Sequence, residues 1–227
     1  MFFFDPKYLL FIAPALILAL WAKMRLSATY AQAQRIPASL SGAAAARLIL
    51  DSAGLQHVAV EAVPGHLSDH YDPSHKVLRL SQDVYQNRSA ASVGIAAHEA
   101  GHALQDAEAY APLVIRNAAV PLARFGGGTG IWMIVIGALL HAQPLVLLGI
   151  LLFGCVAFFQ IVNLPVEFNA SSRAKAQLVQ LGIINREELV YVNKVLGAAA
   201  WTYVAATLEA VLILLYYIYR FTGSSRD

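Results

Sequence analysis

His98-Glu99-Ala100-Gly101-His102 is an H-E-x-x-H segment. Two histidines four apart lie one turn above each other on one face of an α-helix. That places two imidazole nitrogens where a single tetrahedral zinc can take both. Glu99 follows the first histidine, so it projects beside the metal rather than onto it, where it can serve as general base on a zinc-activated water. The chemistry this spacing points to is peptide hydrolysis. A solvated surface helix would carry polar residues before the motif. The flank here is Val93-Gly94-Ile95-Ala96-Ala97, apolar and small, which predicts a helix packed into a core with its histidines facing a cavity.

The elements that position this motif belong to a membrane protein. Of the 227 residues 58% are hydrophobic and 13% charged, against about a quarter charged in an ordinary soluble domain. The mean hydropathy is +0.57. A formal net charge of +2, with no basic stripe carrying interleaved aromatics, excludes a nucleic-acid partner. Cys155, the single cysteine, lies in an apolar run and has no partner for an internal disulfide.

Four apolar stretches reach the roughly 20 residues that cross a bilayer. They run from about Phe2 to Trp21, Val120 to Leu140, Pro144 to Leu164 and Ala198 to Tyr219. Asp5-Pro6 is a helix start, and the first stretch lacks the flanks of a cleaved signal peptide. The expected organisation is a transmembrane anchor over 1–24 and a zincin-like region with the motif helix over 25–119. A transmembrane hairpin over 120–164 follows, then a third-ligand helix and soluble segment over 165–197 and a C-terminal transmembrane helix and tail over 198–227. The fold class is thus mainly α, with about four transmembrane helices and a small α+β zincin-like region.

Four spans put 22–119 and 165–197 on one side of the membrane. Lys23, Arg25, Arg35, Arg116, Arg124, Arg173, Lys175 and Lys194 flank that side, and Lys7, Arg220 and Arg226 the other. The positive-inside rule makes the catalytic face cytoplasmic.

Within 25–119, Ser41 predicts an N-cap for a helix over Gly42–Ala53 with Leu48 and Ile49 inward, closed by Gly54. Val58–Val63, His66–Tyr71 and Lys76–Leu80 predict a short antiparallel meander, broken at Pro64-Gly65 and at Asp72-Pro73-Ser74-His75. Lys76–Leu80 is the expected exposed edge, on which an extended peptide could pair by main-chain hydrogen bonds. Ser89 or Ser92 caps the motif helix, which runs to about Ala107. Asn185 and Glu188 form a capping box for a later short helix. His66, His70 and His75 read as hydrogen-bonding turn histidines. Gly126 and Gly130 form a G-x-x-x-G that favours close helix contact. Glu209 is a carboxylate inside the fourth span, either protonated in the bundle or lining a polar cavity.

A catalytic zinc takes three protein ligands and keeps one position open. Glu167 stands out as the third, in Leu164-Pro165-Val166-Glu167 where the third span emerges. The motif helix feeds the second span, the hairpin returns, and Glu167 arrives on the same side.

HEAGHALQ, a transmembrane hairpin and LPVEFNAS, with PGHLSDHYDPSHKVLRLS and the opening MFFFDPKYLL, resemble the neutral zinc metallopeptidases of bacterial membranes, the YugP-like family. The likeness covers essentially the whole chain, and a more distant one reaches HtpX and the CAAX-prenyl proteases, which are gluzincins. It implies a multi-pass protein of the bacterial inner membrane with one Zn²⁺ per chain, held by His98, His102 and Glu167, and Glu99 as base. Its substrate would be a peptide or a membrane protein at the lipid bilayer. Ser171 stands where the gluzincin pattern has Asp, so Ser171 or Asn169 would steady a ligand histidine. Arg173 and Tyr203 are candidates for stabilising the oxyanion. Two other readings compete. One is a zinc-binding membrane scaffold or chaperone partner without turnover, which gives Glu99 no use. The other is a site-2-type intramembrane protease, against which the polar Gln105, Asp106 and Glu108 argue.

Overall fold

The computed structural model describes residues 5–222. Phe2–Phe4, at the start of the first expected span, and Arg226 lie outside the described residues. The element order is α1 (Pro6–Gln34), α2 (Gly42–Ser52), β1 (Ala59–Val63), β2 (His70–Asp72), β3 (Val77–Ser81), α3 (Gln82–Gln86), α4 (Ala90–Ala107), α5 (Ala111–Leu139), α6 (Gln143–Gln180) and α7 (Arg186–Thr222). α1, α5, α6 and α7 are long and apolar enough to cross a membrane. The protein is mainly α with one small sheet.

The chain divides into two compact units. One comprises Met1–Trp21, Val114–Pro165 and Trp201–Asp227, the other Ala22–Leu113 and Val166–Ala200. The first holds the apolar helical segments. There a Cβ on Gly126 would sit 2.2 Å from the Leu152 carbonyl oxygen, and one on Gly130 3.0 Å from that of Gly149. The G-x-x-x-G therefore does what its spacing predicts: without side chains, α5 comes down onto the α6 backbone. Residues 140–142 make the tight turn between these helices, with His141 at φ 53°. Tyr216 and Arg220 both donate to the Asp5 carboxylate. Glu209 is half-buried on α7.

The second unit carries the larger core, including Ile49, Leu50, Leu78, Leu80, Val84, Val93, Leu178 and Val192. Ser41 caps α2 by accepting from the Ala44 N–H, and Gly54 beyond its end has φ +76°. The inward face differs from expectation. Ala45, Ala46, Ile49 and Leu50 are buried, whereas Leu48 is 42% exposed. Steps of three and four residues select one stripe, and position 48 falls outside it.

The sheet also corrects its expectation. Its order is β1-β3-β2, with β1 parallel to β3 and β2 antiparallel. It is mixed rather than a meander, and β3 is its centre rather than its edge. Residues 64–69 carry the chain back across before the β2–β3 hairpin forms. In that hairpin the Asp72 carboxylate accepts from the Ser74 and His75 N–H groups and fixes the turn. The clue is the run Val77-Leu78-Arg79-Leu80-Ser81: four of the five are buried, the pattern of a strand covered on both faces.

The capping box is present. Asn185 Oδ1 accepts from Glu188 N, and Glu188 Oε2 accepts from Asn185 N. The helix it opens is not short but α7, which runs unbroken to Thr222.

Candidate metal centre

The motif lies on α4, capped by Ser89, whose hydroxyl accepts from the Ser92 N–H. This helix is built of small residues, and 14 of its 18 are buried, so its backbone approaches its neighbours closely. A Cβ on Gly101 would lie 2.6 Å from the Ala170 carbonyl oxygen on α6. That contact sets the site. Glu167 is one turn before Ala170, and His98 and His102 flank Gly101, so the crossing brings all three together.

Glu167 Oε2 lies 3.2 Å from His98 Nε2 and 3.6 Å from His102 Nε2. One ligand atom from each residue lies within 4.8 Å of the others, and this is the one such group of His, Cys, Asp or Glu among the described residues. The two imidazoles meet edge to face, with centroids 4.8 Å apart.

The outer hydrogen bonds decide what the inner nitrogens can do. Gln105 Nε2 donates to the Val166 carbonyl at 2.8 Å and to Asn169 Oδ1 at 2.9 Å. A backbone carbonyl only accepts, so the amide can be turned one way only. Gln105 Oε1 then faces His102 Nδ1 at 3.0 Å, and that nitrogen must carry the proton. With Nδ1 as the donor, the tautomer that can ligate a metal is the one that turns an Nε2 lone pair toward the Glu167 carboxylate. A cation resolves that arrangement. His98 Nδ1 pairs with Ser171 Oγ at 3.1 Å, which leaves His98 Nε2 directed the same way. The donor set of two imidazoles and a carboxylate is one that zinc takes.

Glu99 is buried, and its Oε2 accepts from the Tyr71 N–H at 3.1 Å. Burial pushes its carboxyl up to about 7, and the negative charges of Glu167 and Asp69 add to this. The charge of His98 and the Tyr71 N–H act against it.

A scan of known families places residues 8–222 in the family described as "Putative neutral zinc metallopeptidase". The chain is 46% identical over 206 residues to "Putative membrane protease YugP" of Bacillus subtilis (strain 168), covering 90% of this chain and 92% of the relative. The chain belongs to this zinc metallopeptidase family. No solved structure matches it.

For this family member the structure brings four of the sequence-selected residues, His98, Glu99, His102 and Glu167, into one place. Ser171 touches His98 directly, whereas Asn169 reaches His102 only through Gln105. Arg173 stands at the outer end of the same chain. Its Nε donates to Asn169 Oδ1 at 2.7 Å, and its two terminal nitrogens pair with both Glu108 oxygens at 2.7 Å. Tyr203 is half-buried on α7 in the other unit, where its carbonyl accepts from Thr207. His70 Nδ1 pairs with the Ser68 carbonyl and His75 Nδ1 with Asp72, and His66 lies edge-on to Tyr30.

Gln105 was not among the residues singled out for the site. The available signal was its position three after His102, where helical side chains meet. Gln105→Leu removes the acceptor for His102 and the side-chain donor to the Val166 carbonyl. It should weaken zinc binding by about 10- to 100-fold, as loss of a ligand's hydrogen-bond partner usually does. Titration of the purified protein against a chelator of known zinc affinity measures this.

Proposed function

We propose that this protein is a membrane-anchored zinc metalloendopeptidase working at the cytoplasmic surface of the bacterial inner membrane. The observation that carries the reading is the convergence of His98, His102 and Glu167 with a buried carboxylate, Glu99, which follows His98 in the chain and is hydrogen-bonded to neither imidazole's outer partner. His98 Nε2, His102 Nε2 and Glu167 would hold the metal. Zinc, when bound, supplies Lewis acidity that acidifies a water and polarises the scissile carbonyl. Glu99 takes the proton from the water and returns it to the leaving amine. Ser171 and Gln105 keep the two imidazoles in the tautomer that offers Nε2 inward. Arg173, committed to Glu108 and Asn169, anchors that chain from outside.

Because β3 is paired on both sides, only the outer strands β1 and β2 have an edge to offer an extended peptide. The face of the membrane follows from the excess of Lys and Arg beside segments 22–119 and 165–197.

The test is cleavage. Zinc-loaded protein in detergent, incubated with a solubilised membrane proteome, should generate new polypeptide termini that vanish on chelation and return with zinc. Termini unaffected by chelation, or no new termini at all, would overturn the reading.

A further inference from the structure

Tyr71 is held at both ends by one helix. Its backbone N–H donates to Glu99 Oε2 at 3.1 Å, and its phenol donates to Asp106 Oδ2 at 2.6 Å. Glu99 and Asp106 are seven residues apart on α4, two turns along one face, so Tyr71 lies lengthwise over the motif. Lys76 Nζ, from the far end of the β2–β3 turn, reaches the same Asp106 oxygen at 2.6 Å. β2 needs this support. It has three residues and a single partner strand, and the Tyr71 N–H points outward from the sheet to Glu99.

The contact also bears on the base. The last torsion of a glutamate side chain is broad, so an unheld carboxylate turns freely. One backbone donor on Oε2 fixes that torsion and leaves Oε1 as the oxygen free to face the reacting water. Resting on the peptidase reading above, we infer that Tyr71 is a positioning residue for Glu99 and that its phenol, latched to Asp106, keeps β2 where its N–H can orient the base. The latch belongs to no ligand of the metal and to no contact with the scissile bond. It acts through the strand.

Tyr71→Phe removes one oxygen atom and Asp106→Leu removes its acceptor. Each should lower kcat about tenfold, the loss expected for one hydrogen bond used in the transition state, with KM changed less than about twofold and zinc content unaltered. Both variants break this bond, and the ion pair to the exposed Lys76 that Asp106→Leu also removes contributes little, so the double variant should also lose about tenfold, not about a hundredfold. Asp106→Asn keeps an acceptor for the phenol and should recover most of the rate. Hydrogen exchange at the Tyr71 amide, read in the zinc-loaded protein, should quicken about tenfold in Tyr71→Phe. A parent-like kcat in Tyr71→Phe, losses that multiply in the double variant, or an unchanged exchange rate would each overturn the inference. A parent protein that cleaves nothing would sink the peptidase reading instead, while the exchange measurement would still report whether the latch exists.

Discussion

Glu99→Gln is expected to lower kcat by on the order of a thousandfold while zinc stays bound at one per chain. Glutamine keeps the shape and can still accept from the Tyr71 N–H, but it cannot take a proton from water or hand one to the leaving amine. Metal analysis and turnover on the same preparation separate the two effects. A variant that cleaves as fast as the parent would remove Glu99 from the mechanism.

The same substitution has a second consequence, in stability. Burial raises the Glu99 carboxyl from its ordinary 4.5 to about 7 in the metal-free protein. The native state then holds a proton that the unfolded chain releases. The resulting stabilisation is complete below pH 4.5 and is lost as pH rises through about 7. Uncharged glutamine has no such dependence. Metal-free Glu99→Gln should therefore gain about 3 kcal/mol on the parent between acid pH and about pH 8. Denaturation of the metal-free proteins at both ends of that range checks the sign. A constant difference between parent and variant would show that the carboxyl is not held up by burial. A bound cation draws the same carboxylate down, so the effect should shrink when zinc is restored.

Glu167→Ala and His98→Ala are expected to abolish stoichiometric zinc binding. Each removes one of three donors, a larger loss than the about 10- to 100-fold that a change at an outer partner costs. Glu167→Ala does more than delete a ligand. It leaves the His98 and His102 Nε2 atoms without the oxygen that now lies 3.2 and 3.6 Å away. Elemental analysis after dialysis reads the outcome, and full zinc occupancy in Glu167→Ala would place the third ligand elsewhere. Glu99→Gln is the control, since it should lose rate and keep metal, whereas these two should lose both.

Much of this centre is local in origin. His98, Glu99 and His102 share a helix turn, so their relative placement follows from 3.6 residues per turn and nothing else. Glu167 is different in kind. It is legible because a carboxylate directly after a long apolar run is costly without a reason, and because a hairpin returns the chain to the side it left. Gln105 and Tyr71 do not stand out in the sequence because their roles depend on atoms far away in the chain. Gln105 is oriented by a carbonyl 61 residues on, and Tyr71 reaches Glu99 across 28. The strand order of the sheet is hidden for a related reason. Strand positions show in alternation and turn residues, but pairing order is a choice among long-range partners, and β1 and β3 are joined in parallel by a path that leaves no periodic mark.

By itself, then, the sequence determined the four apolar helices, the motif helix with its cap, the G-x-x-x-G contact, and which residues are proposed as ligands and base. Each depends on residues within a few turns of one another, where helix geometry and solvation decide. Only the tertiary structure decided that β3 is central and β1 and β2 the edges, that Gly101 lets α4 close onto Ala170 and so delivers Glu167, and which tautomer His102 adopts. Those outcomes rest on contacts between segments distant in the chain, and there the steric fit of one backbone against another selects the answer.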